Sequence, residues 1–312
     1  MNEGLEVLAD EHAGASSGAE LTPELRAFVE FVAKKGRELY RDLPWRRTYD
    51  PYAIWISEVM LQQTQVSRVD GRWQRWLERF PTVDALAAAA PSDVLEEWQG
   101  LGYNRRALSV HRAAQAISEA GGVFPQDPKE LVKLPGIGPA TAAGIRAFAF
   151  NLHGVYLETN VRTVFLHELY PQAEGVPDSE LVPLVELTCP ANVANAADAA
   201  ATELTPRSWY YALLDYGAYL KKTIPNPSRR SKSHVKQSRF EGSHRQKRAE
   251  LLRVLLAHKD EGGAEFEMLH QELCQIEVNA GRETLDEQVT LGLLEELAKE
   301  GFCQKNNEYW LP

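Results

Sequence analysis

Cysteine is scarce and scattered, with three in 312 residues: Cys189, Cys274 and Cys303. An odd, widely spaced set builds neither a disulfide framework nor a cysteine-rich metal cage, so a reducing cytoplasm is the expected setting. No run of about 18 apolar residues occurs, and no membrane span is expected. The N-terminus lacks the basic start and apolar stretch of a secretion signal. Positive charge is also short overall: Lys and Arg number 34 against 44 acids, for a net charge of −10. That balance argues against indiscriminate binding to nucleic acid. Present in quantity are apolar residues, at 44 % enough for a substantial core. The length suits two domains, or one large and one small.

The charge is unevenly placed. Between Lys221 and Arg248 there are ten basic side chains, among them Lys221, Lys222, Arg229, Arg230 and Lys232, and Glu241 is the only acid. Local charge steers a protein to DNA, and net charge does not. The stretch reads either as a phosphate-contacting segment or as a solvated basic loop.

Residues 1–21 are rich in Gly, Ala, Ser and acids without apolar periodicity, which predicts a disordered acidic tail. From 22 to 223 nearly every segment has helical spacing punctuated by Pro and Gly, and no convincing strand appears, so the body is expected to be all-α. Helices are predicted from Leu25 towards Tyr40, around Ile54–Val66, Val94–Trp98, Arg105–Ser118, Pro139–Phe150, Val161–Leu169 and Trp209–Leu220. Asp127, with Glu130 three residues on, has the form of a capping box. Residues 224–244 read as a basic extended linker. In 245–312, three helices precede two short apolar-aromatic runs flanking Asn306-Asn307, a hairpin signal. That order suggests a winged-helix-like module, with a simple helical cap as the alternative. Its acidic last helix suits a protein partner somewhat better than DNA. Trp310 is expected in its core.

Chemistry concentrates in a few segments. In Leu134-Pro135-Gly136-Ile137-Gly138 the glycines allow a tight turn that bares backbone N–H groups at the next helix start, an anion site suited to a phosphate. Alone it would read as an ordinary helix–Gly–helix turn. Twenty residues on stands a lone carboxylate, in Leu157-Glu158-Thr159-Asn160-Val161. Glu58 lies among apolar residues on a buried-looking helix, where burial raises a carboxyl towards a usable general acid. A satisfied structural carboxylate is the alternative. Gln62, Gln63 and Thr64 follow with donors and acceptors suited to base edges. Gly100-Leu101-Gly102-Tyr103, followed by Arg105 and Arg106, is a loop that could push side chains into a base stack while the arginines hold phosphates. It could also be a plain helix C-cap.

In this order and spacing these segments resemble the helix-hairpin-helix (HhH-GPD) base-excision DNA glycosylases, and within them the MutY-type adenine glycosylases, over roughly Leu43 to Leu220. The resemblance implies a two-lobed helical body that flips one nucleotide out of the duplex, because the glycosidic bond is unreachable inside it. It places Glu58 as the acid that protonates the adenine ring. Glu158 falls at the position of the carboxylate that stabilises the cationic sugar, and Asn160 as the residue orienting that site. Trp45, Arg46 and Asp215 fall where the family lines its base pocket, Gln63, Leu101 and Tyr103 where it probes the opened stack, and Gly136 and Gly138 where it grips phosphate.

Four departures accompany the resemblance. Glu158 stands where the family has Asp, one methylene longer. Ala140 occupies the position of the lysine nucleophile of endonuclease III-type enzymes, so a monofunctional glycosylase without AP-lyase activity is implied. Lys221 stands where the first of four cluster cysteines would be, so no iron–sulfur cluster, and no other metal or cofactor, is expected. The C-terminal module lacks the β-rich character of the domain with which the family reads 8-oxoguanine. The expected substrate is double-stranded DNA with a mismatched or damaged purine, adenine first, in a cytoplasmic, nucleoid-associated protein. A same-fold enzyme for hypoxanthine or for U or T mismatched with G, and an inactive lesion-binding protein, are the alternatives.

Overall fold

Local signals in the sequence set most helix boundaries. The structure is a computed structural model and describes residues 21–191, 204–233 and 239–312. Helix α1 (Pro23–Glu38) begins where Thr22 Oγ1 accepts the Leu25 N–H at 3.3 Å and a proline fills the first turn. Helices α2 (Pro51–Leu61), α3 (Val66–Val69), α4 (Arg72–Arg79), α5 (Val83–Ala88), α6 (Pro91–Trp98) and α7 (Arg105–Glu119) follow. Then come α8 (Pro128–Leu131), α9 (Pro139–Phe150), α10 (Thr159–Glu168), α11 (Asp178–Thr188) and α12 (Pro206–Thr223). Asp127 caps α8 by accepting the Lys129 N–H at 2.7 Å, whereas Glu130 pairs with Lys133 at 2.7 Å, so an ordinary N-cap stands where a capping box was expected. The helix expected around Ile54–Val66 stops at Leu61, and four helices, α3, α4, α5 and α11, have no counterpart in the sequence reading. The first three are short, and α11 carries Pro183 in its interior.

The described residues group into two compact units that interleave along the chain. One comprises residues up to Glu58 together with Phe124–Lys133 and Ile137–Lys236. Its core gathers Phe28, Val32, Phe148, Val161, Phe165, Trp209 and Leu213, with Phe28 packed edge-on against Phe165 and Trp209. Helices α1 and α12 cross almost backbone to backbone: a Cβ on Gly36 would lie 2.2 Å from that of Ala212. Gly217 on α12 plays the same part against α10, where a Cβ would meet the Asn160 carbonyl oxygen at 2.3 Å. Buried Arg207 donates to the carbonyls of Phe148, Arg46 and Thr48, fixing the 3-10 turn Pro44–Arg47 beside this core.

The other unit joins Val59–Val123 and Leu134–Gly136 to Gln237–Pro312. The last division between the units, after Lys236, falls within the expected 224–244 linker, while residues 59–123 group with the C-terminal module. The C-terminal module has the winged-helix order: α13 (His244–Ala257), β1 (Ala264–Glu265), α14 (Phe266–Asn279), α15 (Glu287–Glu300), β2 (Gln304–Asn306) and β3 (Tyr309–Leu311). The sheet runs β1-β3-β2, antiparallel, with Ala264 opposite Trp310 and Lys305 opposite Trp310 on the other side. Asn307 takes the left-handed φ of 54° that the hairpin turn requires, and Trp310 is buried as expected. Strand β1, only two residues long, leaves no periodicity to read.

Ion pairs tie this module to its own unit. Glu300 takes both Arg105, in a two-point pair at 2.6 and 2.7 Å, and Arg248 at 2.8 Å. These partners hold its carboxyl down to about 2. Lys259 bridges Asp93 and Glu96 on α6, which Arg79 of α4 also reaches. Within the expected linker, Pro227–Arg230 forms a 3-10 turn, and Val176 and Ser231 make a parallel bridge with backbone bonds of 3.1 and 3.0 Å. The expected acidic tail lies outside the described residues, apart from Leu21.

Candidate active site

Glu58 sits on α2, whose apolar neighbours Ile54, Trp55, Ile56, Val59 and Met60 are all buried. Enclosure by protein raises its carboxyl to about 7, while the side chain keeps some access to solvent. Three groups modulate that effect. The Tyr156 hydroxyl donates a hydrogen bond to Glu58 and Arg46 faces it, both favouring the charged form, whereas the charge of Glu158 disfavours it. Gly144 on α9 makes room for the carboxyl. A Cβ there would lie 2.4 Å from Glu58 Oε2 and 2.9 Å from the Tyr156 ring. Gly144→Ala should therefore displace the carboxyl. Because the displaced atoms end a side chain, the fold should survive, and excision should slow by about a hundredfold, the effect of roughly 1 Å of misplacement. A wild-type rate at unchanged melting temperature would rule out this packing.

Glu158 is the N-cap of α10. Its Oε1 accepts the N–H groups of Asn160 at 2.6 Å and Val161 at 3.1 Å. The helix N-terminus thus holds the carboxylate and is complemented by its charge. The methylene that distinguishes Glu from Asp lets the side chain fold back onto the first turn. Burial raises its pKa, opposed by the Lys221 ammonium and by hydrogen bonds from Asn160 and Val161. Tyr156 is buried and faces both glutamates, which with burial push its phenol well up. Its loop is fixed by Tyr210, whose hydroxyl accepts the Tyr156 N–H at 3.2 Å and donates to the Gly154 carbonyl. Two carboxyl groups at one site, one poised near neutrality and one at a helix N-cap, form the arrangement of a paired acid and charge stabiliser. Glu58, Glu158 and Asn160 are thus brought together.

The three residues expected to line a base pocket are arranged differently. Asp215 on α12 is 2 % exposed, and Arg46 grips it at two points, 2.7 and 2.8 Å. Arg41 adds its Nε at 2.5 Å and its backbone N–H at 3.2 Å. The Arg46 guanidinium also stacks over Tyr211, and Trp45 is buried. Asp215 therefore anchors the Pro44–Arg47 turn, since both of its oxygens are occupied by arginine.

In the other unit Gln62, Gln63 and Thr64 end α2 beside the Gly100–Tyr103 loop, and one side chain explains the pairing. Arg106 donates to the carbonyls of Val59, Met60 and Gln62, to Thr64 Oγ1, and to the carbonyls of Leu101 and Gly102. It is an internal clamp rather than a phosphate contact. Tyr103 is exposed, with a left-handed φ of 50° that Gln63 nearly shares at 53°. Leu101, expected at an exposed tip, is 2 % exposed and belongs to the core. Arg105 is paired to Glu300. In the hairpin only Gly136 has positive φ, 76°, and a Cβ there would meet Ser109 at 2.6 Å. Gly138 has φ −84° and opens α9 as its N-cap.

The basic segment divides too. Lys222, Arg229 and Lys232 are exposed. Arg230 instead donates to the carbonyls of Leu166, Tyr170 and Ala173 at the C-terminal end of α10. Arg239 and Arg248 pair with acids, and Lys236 lies outside the described residues. Lys221 is half-buried beside Glu158. Sequence reasoning missed Tyr156, Gly144 and the clamp role of Arg106. A tyrosine two residues before Glu158 and a glycine inside a small-residue helix carry no periodic signal.

Residues 56–207 match the HhH-GPD superfamily of base excision DNA repair proteins. The adenine DNA glycosylase of Mycolicibacterium smegmatis is 37 % identical over 223 residues, 69 % of this chain and 75 % of that protein. This chain belongs to the HhH-GPD superfamily. Another HhH-GPD relative, the adenine DNA glycosylase of Mycobacterium tuberculosis, is 36 % identical over 250 residues, 75 % of this chain and 78 % of that protein. The solved structure of a thermostable thymine-DNA glycosylase matches with a TM-score of 0.55 at 22 % identity, covering 65 % of this chain and 90 % of that one. It shows the shared HhH-GPD fold. A base-excision DNA glycosylase on an all-α body is thus established for this chain, and among the described residues no helix is long and apolar enough to cross a membrane.

Proposed function

We propose that this protein hydrolyses the N-glycosidic bond of adenine in mismatched DNA, with Glu58 as general acid and Glu158 as the anion that stabilises the cationic sugar. One observation carries the reading: a carboxyl raised to about 7 is hydrogen-bonded to Tyr156, which also faces a second carboxylate held at a helix N-cap. A purine profits from ring protonation as it leaves, and a half-buried acid near neutrality can supply that proton at working pH. The adenine glycosylase relatives match along three quarters of their length, which supports adenine as the base. Asn160, one residue into α10, would help to orient the site. Tyr103, Gln63 and the first turn of α9 would contact the opened duplex, with Lys222, Arg229 and Lys232 on phosphates.

An iron–sulfur cluster does not fit this chain. Four thiolates are needed, and the whole sequence holds three cysteines. Cys303 bonds the Leu294 carbonyl and Cys274 lies against Leu285 and His270, while Cys189 is buried in the other unit. We infer a cluster-free enzyme in which Arg230 and the Val176–Ser231 bridge secure the segment after α12 against α10.

The test is a panel of duplexes carrying A opposite 8-oxoguanine, G or C, together with hypoxanthine, U:G and T:G, with alkali cleavage reporting base loss. Release of adenine from a mismatch is the expected result. Release only of hypoxanthine, uracil or thymine would overturn the adenine assignment. Binding without any release would make the protein a lesion binder.

A further inference from the structure

Arg46 faces Glu58, Lys221 faces Glu158 and Arg41 faces Lys221, and the structure distributes these three cations unevenly. Arg41 and Arg46 both bond directly to Asp215, whose two oxygens they saturate. Glu58, held near neutrality by burial, does not call for a full counter-charge. Glu158 works only as an anion, and burial works against that form. Lys221 remains. It lies one helical turn beyond Gly217 on α12, at i+4 and so on the same face. That face approaches the first turn of α10 so closely that a Cβ at 217 would meet the Asn160 carbonyl oxygen at 2.3 Å. Lys221 is half-buried there and interacts electrostatically with Glu158.

Resting on the function proposed above, we propose that Lys221 is a positioning residue for excision: its ammonium supplies the counter-charge that lets Glu158 meet the substrate as a carboxylate. The groups facing Glu158 are Lys221 from α12, the Asn160 and Val161 amides from α10, Tyr156 from the preceding loop and Glu58 from α2. Burial foremost, and the like charge of Arg41, favour the neutral form of Lys221, which Glu158 resists. A lysine serving a phosphate would change affinity. One serving Glu158 changes the chemical step and its pH dependence.

Lys221→Gln and Lys221→Arg should be compared with wild type by single-turnover excision between pH 5 and 9, alongside duplex affinity and melting temperature. Activity should follow a bell, its acid limb set by ionisation of Glu158 and its alkaline limb by deprotonation of Glu58. Without the ammonium the acid limb moves up towards the alkaline one, so the bell narrows and its maximum falls. The expected loss for Lys221→Gln at neutral pH is about tenfold, the equivalent of one pKa unit, with affinity unchanged, and Lys221→Arg should recover most of it. In a Glu158→Gln background the same lysine substitution should cost nothing further. An unmoved pH profile, a loss confined to DNA affinity, or an equal loss in the Glu158→Gln background would each overturn the proposal. Those outcomes require an active wild type, so they are distinct from failure of the duplex panel.

Discussion

Glu58→Gln should slow single-turnover release of adenine by about 10²–10⁴-fold, the usual contribution of a positioned general acid, while leaving duplex affinity and fold intact. The substitution is close to isosteric. The Tyr156 hydroxyl can donate to the glutamine oxygen as it does to the carboxylate, and the space that Gly144 leaves still accommodates the side chain. Only the transferable proton is lost. Wild-type pH dependence carries the matching signature. An acid must be protonated to act, and this one sits at about 7 because burial disfavours its anion. The rate should therefore fall as the pH rises through about 7, the alkaline limb of its bell, and that fall should vanish in the variant. Retention of both the rate and the alkaline limb in Glu58→Gln would remove Glu58 as the acid.

Much of this site was legible in the sequence, and what was not follows a pattern. The two glutamates stand out because each breaks its surroundings: Glu58 interrupts an apolar helix, and Glu158 opens a helix after an apolar loop. A charge in the wrong place is visible in one dimension. Charge partnership is not. Arg105, Arg106 and Arg230 read as cations for phosphate, yet one pairs with Glu300 and two donate to backbone carbonyls at helix ends. Their acceptors lie up to 195 residues away, a pairing that only the fold can make. Asp215 is the converse case, a carboxylate expected at a base and found saturated by arginine. The grouping of residues 59–123 with the C-terminal module escaped the sequence for a related reason. Residues 59–123 and the C-terminal module join through their own ion pairs and helix packing, and composition marks only the linker that separates them along the chain. Winged-helix order was readable from three helices and a turn, except for β1, which is too short to show alternation.

Substitutions at Glu158 should rank in the order wild type, then Asp, then Gln. In Glu158→Gln the amide oxygen can still accept the Asn160 and Val161 N–H groups, so α10 keeps its cap, but the negative charge is gone. Losing an electrostatic stabiliser of this kind costs about 10²–10³-fold. Glu158→Asp restores the residue type the resemblance leads one to expect, keeps the charge, and supplies a preferred N-cap. It also withdraws the carboxylate by about 1.5 Å, one carbon–carbon bond. In this chain the longer side chain already folds back to the first turn of α10 while lying next to Lys221 and Tyr156. Its neighbours are therefore arranged for glutamate, and shortening it should lower the rate, by less than Glu158→Gln does because the anion is kept. Single-turnover rates of the three proteins on the same A-containing mismatch decide the matter. Glu158→Asp outpacing wild type would mean that glutamate has blunted the site. Glu158→Gln matching wild type would mean that no anion is needed there, and the assignment of Glu158 as charge stabiliser would fall.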